Sequence, residues 1–108
     1  MPGTMIGRGN ILYDFLVGAS LTPVAVAGST AAEQSFTITV LQLNDFVDVN
    51  CSVAQTAGLG IGNVRVSALN TLTIEFSNST AGSLTPVAGI YNINISRPEI
   101  VPLPTNAV

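Results

Sequence analysis

Alternation of apolar and polar residues with a period of two is the feature that most constrains how this chain can fold. Side chains two positions apart share one face of a strand, so each alternating run has one buried side and one solvent-facing side. No segment shows a sustained helical repeat. The pattern predicts an all-β protein whose inward-facing sets are Phe36, Ile38 and Val40; Val47, Val49, Cys51 and Val53; Val64, Val66 and Ala68; Leu72, Ile74 and Phe76; and Tyr91, Ile93 and Ile95.

Turn residues separate these runs into short strands. Leu69-Asn70 lies between two alternating runs and predicts a tight hairpin turn. The segment Ser77–Ser83 is a polar loop, and an extended chain restarts after it at Pro86. Strands of this length with a turn about every ten residues predict an antiparallel β-sandwich, either Ig-like or jelly-roll-like.

The length of 108 residues is that of one domain. We predict an N-terminal arm over residues 1–19, a β-sandwich over residues 20–97 and a Pro-rich extended tail over residues 98–108. Within the arm, Ile11–Val17 is apolar on both faces apart from Asp14, so it needs cover from a second sheet or from a neighbouring subunit. The tail has no alternation, and Pro98 stops the last strand.

A six-residue sequence occurs twice in the chain. Ser20–Ala25 and Ser83–Ala88 both read Ser-Leu-Thr-Pro-Val-Ala. Each copy precedes a strongly alternating run, so we interpret the two copies as similar turns that lead into strands. Duplication of a half-domain is the alternative.

Charged residues are scarce and exclude one class of partner. They make up 8% of the chain, against about 25% in ordinary soluble proteins, and the net charge is −3. Arg8, Arg65 and Arg97 are the only cations, too few to neutralise a run of phosphates. We therefore expect no binding to nucleic acid or to anionic membranes. A chain with so few charges is expected to pack against other subunits as a homo-oligomer.

The sequence offers no catalytic, cofactor or metal site. Without His or Lys, the Ser–His, Cys–His and Ser–Lys pairs of hydrolases cannot form. A carboxylate pair for glycoside hydrolysis is the alternative, but the chain lacks the aromatic residues that usually surround such a site, so we expect no enzyme. The glycines of Ala57–Gly62 lack the lysine and following helix of a phosphate loop, and this segment is interpreted as a flexible connector. Asp45, Asp48 and Asn50 supply too few oxygen ligands for calcium, and the last two are expected on a solvated edge.

Three further motifs are given structural interpretations. Cys51 is the only cysteine, so it forms no internal disulfide and is expected to be a small buried side chain. Residues 15–32 are uncharged and resemble an export signal, but Pro23 and the glycines favour strand and turn instead. The glycosylation triplets at Asn50, Asn78 and Asn94 are attributed to chance.

Several ordered stretches resemble known proteins: Ala31–Ile38, Asp45–Asn50 and Ala57–Ala68, followed by Asn70-Thr71-Leu72 and by Phe76–Gly82 running into Thr85-Pro86. Together they resemble a group of small virion structural proteins encoded by tailed bacteriophages, similar to capsid decoration (cement) proteins. The resemblance covers about residues 20–97 and includes no catalytic signature. It implies a location in the phage particle.

Two functions of different classes fit these observations. The first is a decoration protein on the head exterior that stabilises the seams between capsomers by burying apolar surface. The alternative is a head-fibre or tail-attached module that binds a host glycan, or a tail or connector component. The glycan alternative needs exposed aromatics, yet Tyr91 is predicted to face inward and the other tyrosine, Tyr13, lies in the arm.

The first function predicts the major capsid protein and further copies of this chain as partners, in the virion and most specifically in the head. Extended segments commonly add to the sheet edge of a neighbour. The expected interface residues are therefore the apolar residues of the arm and tail, namely Ile11, Leu12, Tyr13, Phe15, Leu16, Val17, Ile100, Val101 and Leu103.

Overall fold

The computed structural model describes residues 10–99, which form two packed three-stranded antiparallel sheets. Sheet I has the strand order β1-β6-β3, and sheet II has the order β2-β5-β4. The predicted all-β sandwich is confirmed, and residues 10–99 contain no helix. The strands are β1 (Ile11–Leu21), β2 (Thr30–Thr37), β3 (Phe46–Cys51), β4 (Leu59–Ala68), β5 (Thr71–Asn78) and β6 (Gly89–Pro98).

The two central strands supply the middle of the core. Their inward side chains are fully buried at 0% exposure: Leu72, Ile74 and Phe76 of β5, and Tyr91, Ile93 and Ile95 of β6. These are the faces that the alternation predicts. The prediction fails for Ala68, which is exposed at the end of β4 after a register shift. It also fails for Val40 and Val53, which are 37% and 50% exposed. Both residues lie just beyond the end of a strand, where the alternation of faces no longer applies.

The hairpin between β4 and β5 turns at Leu69-Asn70, as predicted, and Asn70 adopts a φ of 60°. Asn tolerates this left-handed conformation better than most residues. The interpretation of Ala57–Gly62 as a connector is wrong from Leu59 onward, because β4 begins at that residue. A β-bulge between Ile61 and Val64 accommodates the glycines, and a Cβ at Gly62 would collide with the carboxylate of Glu75.

Residues 11–19 belong to the sandwich and do not form a separate arm. β1 pairs with β6 along its whole length, from Ile11 opposite Pro98 to Leu21 opposite Gly89. The reason is packing, since Phe15, Val17 and Ala19 face sheet II and contact the core. The second sheet thus covers the inner face of β1. Residues 1–9 and 100–108 lie outside the described residues, so most of the predicted tail does too.

Polar side chains hold the segments that lead into β2 and β6. Gln34 accepts a hydrogen bond from the Val24 N–H (2.9 Å) and donates one to the Val24 carbonyl (2.8 Å). Near the second repeat, the Tyr91 hydroxyl donates to the Val87 carbonyl (2.7 Å) and accepts from Gln55 Nε2 (3.0 Å). Burial raises the pKa of Tyr91. Both copies of the repeat are therefore tied to the sandwich, and the first copy begins with Ser20 and Leu21 at the end of β1.

Candidate docking face

Exposed apolar side chains are distributed unequally between the two sheets. Ten large hydrophobic side chains of the described residues are exposed. The five that lie in strands all belong to sheet I, and the strands of sheet II have none. The remaining five lie in the connections between strands. Those of sheet I are Leu12, Tyr13, Leu16, Phe46 and Ile90.

The outer face of sheet I is assembled by strand register. On the central strand β6, the outward positions are Ile90, Asn92, Asn94 and Ser96, because Tyr91, Ile93 and Ile95 point into the core. Register places Leu16 of β1 and Asp48 of β3 on either side of Asn94. In the next row, Gly18 and Asn50 flank Asn92. Outward residues of all three strands thus form one continuous surface, which we call the docking face: Asp14, Leu16, Gly18, Ser20, Phe46, Asp48, Asn50, Ile90, Asn92, Asn94 and Ser96.

The middle of the docking face is a shallow depression. Its lining residues are Leu16, Asp48, Val49, Asn50, Asn92 and Asn94. Leu16 stands at its rim with 76% of its surface exposed, and Phe46 lies on the same face with 66% exposed. The depression therefore combines apolar rims with an amide-rich floor.

The polar groups of this depression lack partners within residues 10–99. The side chains of Asp48, Asn50, Asn92 and Asn94 make no hydrogen bond to any described group of the protein. Each amide can donate two hydrogen bonds and accept two. All four side chains are exposed, so their hydrogen-bonding capacity is free for water or for a partner.

On the outer face of sheet II, the central polar side chains form hydrogen bonds with one another. Thr73, at its centre, shares hydrogen bonds with Ser35 (2.9 Å) and Ser67 (2.7 Å). Arg65 reaches across β5 to Glu33 and makes two hydrogen bonds of 2.9 Å. These bonds lower the pKa of Glu33 and raise the pKa of Arg65. Thr73 is only 2% exposed although it points away from the core.

A buried ion pair fastens one end of the sandwich. Arg97 of β6 makes two hydrogen bonds of 2.9 Å to Asp45 and one of 2.8 Å to the Val40 carbonyl. The bonds to Asp45 raise the pKa of the Arg97 guanidinium. This group also lies 5.8 Å from the ring centre of Tyr13 and 5.7 Å from that of Phe15. The pair ties the connection between β2 and β3 to β6 and is structural.

The oxygen-rich sequence Asp45–Asn50 is divided between two places in the fold. Asp45 is committed to Arg97 and also accepts a hydrogen bond from the Gln42 N–H (2.9 Å). Asp48 and Asn50 lie on the docking face, the solvated position expected for them. Among the residues described, no group of three His, Cys, Asp or Glu side chains is placed to hold a metal ion.

The predicted interface residues of β1 differ in exposure. Leu12, Tyr13 and Leu16 are exposed, whereas Phe15 and Val17 pack against the core and Ile11 is half-buried. Tyr13 nevertheless lies on the same side of β1 as Phe15, and the two rings are in edge-on contact with their centroids 6.4 Å apart. Ile100, Val101 and Leu103 lie outside the described residues. Of the β1 set, Leu16 alone has a place on the docking face fixed by register.

Several residues of the docking face were absent from the predicted interface. Phe46, Ile90, Asn92 and Asn94 alternate with residues that were predicted to face inward, so the same pattern assigns them to the outside. What the pattern lacks is the sheet order that brings β3 and β1 to either side of β6. Without it, these residues are only solvent-facing positions on separate strands.

The comparisons with known proteins add no relative. No family model, no curated protein and no solved structure matches the chain. In addition, none of the described residues belongs to a helix that is long and apolar enough to cross a membrane. The function is therefore inferred from the docking face and from the sequence.

Proposed function

We propose that this protein is a structural component of a tailed-phage particle, and specifically a decoration protein that binds the head exterior through the docking face. The observation that carries the proposal is the concentration of exposed strand hydrophobics on sheet I, with none on the strands of sheet II. A face of this kind favours one broad, permanent contact. The resemblance to phage virion proteins supports the choice of partner.

The docking face is suited to binding a partner without catalysing a reaction. Burial of apolar surface contributes about 25 cal/mol per Å², so the exposed areas of Leu16, Phe46 and Ile90 favour association once a partner covers them. The amides of Asn50, Asn92 and Asn94 can exchange water for hydrogen bonds to the partner. The free-energy cost of removing water is smaller for neutral amides than for ions, so amides are suited to an interface that remains bound. On a capsid, many symmetric copies would multiply a modest gain at each seam.

Point substitutions on the docking face test this proposal. Deletion of residues 1–17 is unsuitable, because it would remove core side chains such as Phe15. Instead, heads that lack the protein are mixed with purified full-length chain, and bound copies are counted after sedimentation. We expect Phe46→Asp and Ile90→Asp each to lower occupancy by about tenfold, since apolar anchors dominate such contacts.

Thr37→Asp is the matched control. Thr37 is exposed on the outer side of sheet II, so the same added charge should leave occupancy unchanged. Equal occupancy of all three variants and the unsubstituted protein would contradict the proposal. A result in which only Thr37→Asp loses binding would move the contact to sheet II.

Binding of a host glycan by a head-fibre or tail-attached module is the second candidate. It is favoured by one specific observation: exposed Phe46 shares a face with Asp48, Asn50, Asn92 and Asn94, whose side chains have no hydrogen-bond partner among residues 10–99. Amides and carboxylates bind sugar hydroxyls, and an aromatic ring can cover the apolar side of a sugar. A glycan array probed with the full chain and with Phe46→Ala tests this candidate. Specific signals that Phe46→Ala abolishes would favour it over decoration.

A further inference from the structure

The outer edge of β1 runs along the longest strand among the described residues. Within residues 10–99, β1 pairs with β6 on one side and with nothing on the other. Its 11 residues contain one charged side chain, Asp14, and no lysine, arginine or proline. Proteins usually prevent an edge strand from pairing with another molecule by placing charged residues, especially lysine, or proline on it. Among residues 10–99, no strand pairs with the backbone N–H and C=O groups along this edge, and a strand of another molecule could do so.

The three other edges are less suited to pairing. β3 has only six residues. β4 is interrupted by register shifts between Ile61 and Val64 and between Val66 and Ala68. β2 carries Glu33, and its Gln34 side chain binds the backbone of Val24. β1 has a single irregularity, between Ile11 and Tyr13, so its backbone is regular from Tyr13 to Leu21.

From these observations we propose that two copies of the chain pair antiparallel along β1, with Leu16 of one copy opposite Leu16 of the other. The pairing extends sheet I into a six-stranded sheet with the order β3-β6-β1-β1-β6-β3. A two-fold axis then passes between the leucines, as in most homodimers. The proposal concerns a second copy as partner and does not depend on the capsid function.

Side-chain chemistry selects this register among those that keep inner and outer faces continuous. It places Asp14 opposite Gly18 of the other copy, where no side chain competes for space. It brings together the two Leu16 side chains, each 76% exposed in the single chain. On the inner side, Phe15 lies opposite Val17, which continues the apolar layer. Centring the pairing on Asp14 would instead oppose two like charges, which destabilises a strand pair.

The dimer would present two docking faces on the same side of one sheet, because a two-fold axis perpendicular to a sheet preserves its faces. Pairing along a strand buries less surface than a standard interface of about 1,600 Å², so we expect a dimer that dissociates on dilution. A particle that holds many copies close together would favour it, because the local concentration is high.

Sedimentation equilibrium of the purified full-length chain, without capsids, tests self-association. We expect a monomer–dimer equilibrium over a range of concentrations. Leu16→Asp should raise the dissociation constant about tenfold or more, since two carboxylates would meet on the axis. Thr37→Asp adds the same charge to the edge strand of sheet II and should leave the constant unchanged. If the protein were a monomer at all concentrations, the proposal would be overturned. This result is expected if a segment of the same chain covers the edge of β1.

Cysteine cross-linking reads the register. Asp14→Cys, Leu16→Cys, Gly18→Cys and Ser20→Cys are each made in a Cys51→Ala background and treated with a mild copper–phenanthroline oxidant. Directly opposite Cβ atoms lie about 5 Å apart, so Leu16→Cys alone should give a rapid covalent dimer. Faster cross-linking at any other of these positions would overturn the proposed pairing. If the protein dimerises but does not bind capsids, only the decoration function is contradicted. If it binds capsids but remains a monomer, only the proposed dimer is contradicted.

Discussion

The outer faces of the two sheets are built on similar central strands, yet their side chains find partners in different places. On sheet II, Thr73 is bonded to Ser35 and Ser67, and Arg65 is bonded to Glu33. On sheet I, Asn92 and Asn94 occupy outward positions on the central strand and have no protein partner among the described residues. Exposed Leu16 and Phe46 stand beside them.

This difference shows that the polar side chains on the outer face of a sheet can bond either to one another or to groups outside the sheet. Sheet II satisfies the polar groups at the centre of its outer face internally, so a partner there would gain little free energy from them. Sheet I has exposed apolar surface and amides without partners among the described residues, so a complementary partner would improve both. The contrast cannot be seen in the fraction of polar residues on each face, because both faces are rich in polar residues.

The largest effects are expected where the two sheets do not differ. Ile74 and Ile93 occupy the centres of the inner faces, and both are 0% exposed. Substituting either with alanine should lower the free energy of unfolding by about 3 to 4 kcal/mol, through lost burial and a cavity. Urea denaturation measures both losses. If only one of the two substitutions lowered the free energy of unfolding, the two sheets would not share one cooperative core.

The ion pairs of the two sheets should differ in strength. Asp45→Asn leaves Arg97 without a charged partner at a site where the Asp45 side chain is 1% exposed. We expect a loss of about 3 kcal/mol in urea denaturation. Glu33→Gln is the matched substitution on sheet II, where the side chains of the pair are 50% and 39% exposed. Its effect should be much smaller, and equal losses would contradict the assignment of Asp45–Arg97 as the structural pair.

Matched substitutions on the central strands compare the two outer faces directly. Thr73→Val removes the hydroxyl that bonds Ser35 and Ser67, and it should cost about 1 to 2 kcal/mol. Asn94→Ala removes a side chain that has no partner in the described part of the protein, and it should change stability by less than about 0.5 kcal/mol. Thermal and urea unfolding of both variants would measure the difference. A larger loss for Asn94→Ala would show that the docking face is needed for folding.

The smallest effect is a dependence on acid that Glu33 of sheet II should produce. Hydrogen bonds from Arg65 lower the pKa of Glu33 below its ordinary value of 4.5. The ion pair therefore stabilises the fold above that pH, and its contribution is lost as the pH falls through the lowered pKa. Thermal unfolding of the protein and of Arg65→Gln should differ at neutral pH and converge in acid. A constant difference across this range would contradict the linkage.

Much of the fold follows from local pattern. The alternation in Leu72–Phe76 and Tyr91–Ile95 predicted both fully buried rows, and Asn70 predicted the hairpin turn. Other features depend on residues far apart in the chain. Arg97 meets Asp45 across 52 positions, and Leu16 meets Asn94 through strand pairing. Residues 11–19 were assigned to an arm because β6, which pairs with them, lies at the opposite end of the described chain.

By itself, the sequence determined most of the strand segments and which side of each is apolar, because successive side chains on an extended backbone must point to opposite faces. Only the tertiary structure decided that β1 and β3 flank β6, and therefore that Leu16, Phe46 and the amides of Asn50, Asn92 and Asn94 share one surface. The physical reason is that strand pairing is made by backbone groups common to all residues. Which strands become neighbours is settled by the packing of the whole core.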